Sequence, residues 1–143
     1  MAYICPYLVF KDKAREALEY YHSVLGGDLQ IMTFGDMFGV AEGMGAKPDE
    51  ANLVMHGQLT LPNSQYIMAS DTGNTMPYVP ATRGMSIALT GLPEDFDFIQ
   101  KAFNALRDGA TDIMEFAAAP WGAYYGQLTD KYGISWVFNA NKK

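Results

Sequence analysis

Few side chains in this 143-residue chain are suited to chemistry: two histidines, His22 and His56, and one cysteine, Cys5. An imidazole titrates near neutrality and can act as acid, base or metal ligand. His56 stands in the run Val54-Met55-His56-Gly57-Gln58-Leu59-Thr60. On a pleated strand, Leu53, Met55, Leu59 and Leu61 share one face, and Val54, His56, Gln58 and Thr60 share the other. The first set is expected beneath a helix, and the second toward a ligand cavity. His56 then has three readings: a pocket residue, a general acid or base, or a histidine satisfied by neighbouring hydroxyls or water. His22 lies beside an apolar helical stripe and reads as a surface or interface residue. A reactive thiol needs a nearby cation or helix N-terminus, and the sequence supplies neither for Cys5. Cys5 therefore reads as an inert thiol that also walls a pocket.

The end of the chain is aromatic, with Trp121, Tyr124, Tyr125, Tyr132 and Trp136. Alternation sends Val137 inward and Trp136 into the helix-side core with Ile134 and Phe138. Trp121 lies between Pro120 and Gly122 in a loop, where it can close over a ligand. Met32, Met37, Met44 and Met55 suit an adaptable pocket or a core that needs filling. Gly35, Gly39, Gly43 and Gly45 form no phosphate-binding loop, because no Lys-Ser or Lys-Thr follows them.

These residues must be positioned by regular elements. Tyr3 to Phe10 reads as a buried strand, with Asp12 as the cap of a following helix. Ala14, Ala17, Leu18, Tyr21, Val24 and Leu25 mark the apolar face of that helix, and Gly26-Gly27 ends it. Strands are expected over Leu29–Phe34, Leu53–Leu61 and Gln65–Ser70, with a loop over 35–51. After a connector at 71–83 the pattern restarts with a strand over Met85–Thr90. Pro93, Glu94 and Asp95 open a second helix, whose stripe is Phe96, Ile99, Phe103 and Leu106 and whose stop is Gly109. Strands over Thr111–Glu115, Tyr124–Thr129 and Ile134–Asn139 complete the chain. The order is β-α-β-β-β twice, an α+β protein of two modules, 1–72 and 73–143, forming one unit. Their curled mixed sheets, one main helix each, are expected to enclose a shared cavity.

Composition narrows the partners. Ten basic against sixteen acidic residues give a net charge of −6, with no basic patch for phosphates. Nucleic-acid binding is not expected. No apolar run approaches the roughly 20 residues of a membrane span. No export signal is read at the N-terminus, and a single cysteine suits a reducing compartment, so a cytoplasmic location is expected.

The two-module pattern resembles the vicinal-oxygen-chelate fold of the glyoxalase and bleomycin-resistance superfamily. Cys5-Pro6-Tyr7-Leu8-Val9-Phe10-Lys11-Asp12, continuing through Tyr20-Tyr21-His22-Ser23-Val24-Leu25-Gly26-Gly27, is similar to that superfamily's opening strand and helix. Trp121-Gly122, Tyr125-Gly126, Asp130, Gly133 and Trp136 resemble the ending of its PhnB-like branch, which carries the label demethylubiquinone methyltransferase. The resemblance implies a homodimer and places the metal ligands of metal-dependent members at Cys5, about Met68, Ser86 and Val137. None of these is a histidine or carboxylate, so neither metal nor cofactor is expected.

The resulting expectation is a metal-free protein that binds a small, mainly apolar or aromatic molecule in a cavity lined by Cys5, Tyr7, His56, Gln58, Met68, Ser70, Ser86 and Asn139, with Trp121 over it. The alternative is a metal-dependent lyase, isomerase or dioxygenase using His56 and unplaced donors. A methyltransferase is a third reading, without a glycine-rich strand-to-helix cofactor motif to support it.

Overall fold

The computed structural model describes residues 2, 4–38, 51–72, 77–80 and 84–142. Tyr3, residues 39–50 of the expected loop and parts of the 71–83 connector lie outside the described residues. The chain divides into two compact units, Met1–Pro80 and Ala81–Lys143.

The first unit contains β1 (Tyr7–Phe10), α1 (Ala14–Leu25), β2 (Asp28–Thr33), a short α2 (Phe34–Phe38), β3 (Val54–Thr60) and β4 (Tyr66–Asp71). Its sheet has the order β1-β4-β3-β2, with β1 parallel to β4 and the other pairs antiparallel. Ala14, Ala17, Leu18, Tyr21 and Leu25 are buried along one face of α1, as their spacing requires. Gly26 and Gly27 take positive φ values of 76° and 88°, which end the helix without a Cβ penalty. His22 is half-buried, and its Nε2 lies 3.0 Å from the Gly27 carbonyl at this turn.

Three expectations for this unit are corrected. The opening strand begins at Tyr7, and Tyr7 and Val9 are exposed rather than buried, because alternation turns them to the face away from α1 while Phe10 is buried on the helix side. Asp12 does not cap α1; its φ of 64° marks a turn, and no side-chain cap bond is made there. The distant Asp71 supplies the acceptor instead: its Oδ1 takes the Ala14 N–H at 3.0 Å and its Oδ2 takes the Val54 N–H at 2.9 Å. Val54, expected with His56, is fully buried on the helix side. The cause is a bulge: Met32 pairs with His56 and Thr33 with Val54, so Met55 is an extra residue that shifts the alternation by one.

The second unit contains β5 (Ile87–Gly91), a 3₁₀ turn (Pro93–Asp95), α3 (Phe96–Leu106), β6 (Thr111–Ala118), β7 (Tyr124–Thr129) and β8 (Ser135–Ala140). The sheet order β5-β8-β7-β6 repeats that of the first unit, again with one parallel pair, β5 and β8. Phe96, Ile99, Ala102, Phe103 and Leu106 are buried against the sheet. Trp136 and Phe138 lie in the same core, as alternation predicts, at 1% and 0% exposure. Asp130 anchors this end: its Oδ2 accepts the Trp136 indole N–H at 2.8 Å, and its Oδ1 accepts the Tyr132 and Ile134 N–H groups. β6 runs three residues longer than expected and carries register shifts on both sides of Met114.

Candidate functional site

The helix covers one face of each sheet, and of the expected site residues Tyr7, His56, Gln58, Met68, Ser70 and Asn139 alternate onto the other, while Cys5, Ser86 and Trp121 lie outside the strands. In the first unit, Tyr7, Met68, Gln58 and Gln30 form a row across all four strands. Register places these residues directly opposite one another, so their side chains leave the same face. His56, Gln58, Met68 and Ser70 are all half-buried, while Leu59, Ile67 and Ala69 between them are buried on the helix side. The Gln58 Nε2 donates to Thr60 Oγ1 at 3.0 Å. The Tyr7 and His56 rings stand 6.0 Å apart and tilted by 35°. Cys5, half-buried, precedes β1.

The second unit repeats this layout. Ala88, Val137, Gln127 and Met114 form the row that matches Tyr7, Met68, Gln58 and Gln30. Asn139 pairs with Thr90 on one side and Tyr125 on the other, and its Nδ2 lies 3.5 Å from Thr90 Oγ1. Tyr125 donates its hydroxyl to Gln127 Oε1 at 3.3 Å. The exposed Trp121 ring meets Tyr125 edge-on at 5.6 Å between centroids. Ser86, exposed before β5, shares a 2.8 Å hydrogen bond with Ser135.

Both units therefore carry a mixed polar and apolar face, and sequence reasoning missed the plainest signal of it. The tetrapeptide Gly-Gln-Leu-Thr occurs twice, at 57–60 and 126–129, on the equivalent strands β3 and β7. In both copies the leucine is buried in the core. Each glycine is required by a close approach: a Cβ at Gly57 would collide with Leu18 Cδ1, and one at Gly126 would stand 2.9 Å from the Phe116 Cα. Asp71 and Asp130 were also missed as buried acceptors, because each bonds mainly to backbone groups that no side-chain pattern reveals.

The residues at the superfamily's metal positions do not fit a divalent ion. Cys5, Met68, Ser86 and Val137 bring a thiol, a thioether, a hydroxyl and an isopropyl group. Among the described residues no three of His, Cys, Asp and Glu converge as a metal site would require. No helix among them is long and apolar enough to cross a membrane.

Two repeated β-α-β-β-β units with these sheet orders define the vicinal-oxygen-chelate class, and the chain is of its PhnB-like branch. It belongs to the family described as 3-demethylubiquinone-9 3-methyltransferase, whose model matches residues 2–138. The protein PA1353 from Pseudomonas aeruginosa is similar at 32% identity, with a TM-score of 0.82 and complete coverage of both chains. The PhnB protein from Bacillus cereus is similar at 27% identity and a TM-score of 0.68, covering 97% of this chain and 99% of its own. A glyoxylase/bleomycin resistance protein/dioxygenase domain from Frankia sp. EAN1pec shares the fold, with 12% identity and a TM-score of 0.56 over 100% of this chain and 94% of its own.

Proposed function

We propose that this protein is a metal-free binder of a small, mainly apolar or aromatic molecule, held on the sheet faces away from the helices. The row Tyr7, Met68, Gln58 and Gln30 carries this reading. An aromatic ring, a pliable thioether and two amides on the face away from the helix suit an apolar ligand with one or two polar handles. Cys5, His56 and Ser70 in the first unit, and Ser86, Asn139 and Trp121 in the second, extend the same surfaces. Binding alone would sequester the compound.

The family's description names a methyltransferase. Neither strand-to-helix turn, Lys11-Asp12-Lys13 nor Leu92-Pro93-Glu94-Asp95, has the run of glycines that lets a backbone approach a nucleotide-type cofactor. The donor chemistry at the superfamily's metal positions likewise favours binding over metal-assisted catalysis.

The test joins elemental analysis of protein never exposed to chelator with a thermal-shift screen of small aromatic compounds. The expected result is no stoichiometric zinc, nickel, manganese or iron, together with a compound that raises the melting temperature. One such metal per chain would contradict the metal-free reading.

A further inference from the structure

The two open faces share a finer pattern than the fold alone requires. Each copy of Gly-Gln-Leu-Thr is preceded by a ring, His56 in β3 and Tyr125 in β7. Each of these rings has a second aromatic beside it, Tyr7 for His56 and Trp121 for Tyr125, at 6.0 and 5.6 Å. Two residues on, each glutamine leaves the same face as its ring. An amide both donates and accepts, so each unit offers one ring pair and one two-way polar handle.

The electrostatics of these faces are equally selective. No described lysine or arginine lies on a strand of either sheet. Lys13 and Arg15 are on or beside α1, and Arg15 reaches toward the Asn52 carbonyl. Lys101 is on α3, and Arg107 beyond it is held by Glu115. Lys131 lies by Tyr132 in the β7–β8 turn, and Lys142 lies over Phe96 and Tyr124 on the helix side. Lys11 is in the turn before α1. The only described carboxylate in the row of β2 positions facing this way is Asp28, opposite Thr60. The whole chain is acidic, at −6. Among the described residues, no strand position of either face carries a cation, so a phosphate, phosphonate or carboxylate there would lose hydration without a described counter-charge, and the net charge of −6 opposes it.

We infer that the ligand is a flat, uncharged heteroaromatic bearing both a hydrogen-bond donor and an acceptor, taken by one ring pair and its glutamine, and that anionic analogues are rejected. This rests on the small-molecule reading above and adds the charge and shape of the compound. Ring stacking supplies the contact area, and Gln58 or Gln127 supplies the direction. The two units are not equivalent in detail. Gln58 bonds Thr60, whereas Gln127 takes the Tyr125 hydroxyl and Thr129 Oγ1 is buried with no partner among the described residues. Each glutamine stays two-way: Gln58 keeps its carbonyl and its second N–H, and Gln127 keeps its amino group and a second lone pair on Oε1.

Matched pairs that differ only in charge test this: riboflavin against riboflavin 5′-phosphate, adenosine against adenosine 5′-monophosphate, and indole-3-acetamide against indole-3-acetate. Binding to the full chain is read by calorimetry and by quenching of tryptophan fluorescence. At least one neutral member is expected to bind, with its anionic partner ten-fold weaker or more. Gln58→Leu or Gln127→Leu should weaken the neutral member about ten-fold while the melting temperature holds. Equal or tighter binding of the anionic partners overturns the inference yet leaves small-molecule binding standing. Failure of every neutral member to bind also overturns it, and if the broad aromatic screen is empty as well, the binding reading falls with it.

Discussion

Val54 and His56 are two residues apart on one strand, yet their side chains leave opposite faces of the sheet. Val54 is fully buried on the helix side, while His56 is half-buried on the open side. The extra residue, Met55, absorbs the difference. A bulge of this kind re-aims side chains beside it, and here it keeps an apolar anchor and an imidazole within one turn of chain.

The anchor beneath this strand leaves no room at Gly57. Gly57→Ala must push against Leu18, itself fully buried on the inner face of α1. A loss of about 1–3 kcal/mol is expected from overpacking. Urea unfolding of the variant measures it. An unchanged midpoint would mean that α1 can slide outward freely.

Asp71 ties the start of α1 to the start of β3 by accepting the Ala14 and Val54 N–H groups. Asp71→Ala leaves both donors without their acceptor, in a setting where the carboxylate is only 5% exposed. The expected cost is about 2–4 kcal/mol. Hydrogen exchange should quicken at the amides of Ala14 and Val54 before it does so along the rest of β3. Uniform quickening would assign Asp71 a global role instead.

These two cases also show what was legible in the residues. Helical spacing placed Ala14, Ala17, Leu18, Tyr21 and Leu25, and again Phe96, Ile99, Phe103 and Leu106, on buried faces. Each stripe is a local property that 3.6-residue periodicity exposes. Trp136 was likewise placed by simple alternation along β8. Val54 was not, because a bulge depends on how β2 and β3 pair, which no single strand records. Asp71 was not, because its partners are 57 and 17 residues away along the chain. Asp12 had the right type and position for a cap, but its backbone turned left-handed instead.

Glu115 gives a pH-dependent prediction. The Arg107 guanidinium donates to it, with Nε 2.9 Å from Oε1, and holds its carboxyl below the usual glutamate value. A carboxyl lowered on folding stabilises the protein above its unfolded pKa and loses that contribution as pH falls through the folded value. The pair is exposed, so the effect is small. The stability difference between the parent and Glu115→Gln should shrink as pH falls from about 6 to about 3. A difference that grows toward acid pH would contradict this.

Both sheets end in edge strands, β1 and β2 in the first unit and β5 and β6 in the second. Tyr7 and Val9 are exposed on β1. Such edges are a liability in a lone chain and a natural seam between copies. A homodimer is expected by light scattering at micromolar concentration. A stable mass near 15.8 kDa would contradict it.

On the binding function proposed above, the face of β3 away from α1 serves a ligand and not the fold. The most direct measurement takes His56→Ala and Gln58→Ala through thermal melting and calorimetry with a compound found by thermal shift. Both side chains are half-buried and lie on the side of the sheet away from α1. Each replacement should cost less than about 1 kcal/mol of stability, well below the roughly 2–5 kcal/mol of truncating a core leucine. Each should weaken the ligand by about 1–3 kcal/mol, the penalty for a polar group left buried without its partner. A large loss of stability with ligand affinity unchanged would contradict the claim and make His56 and Gln58 part of the structural core.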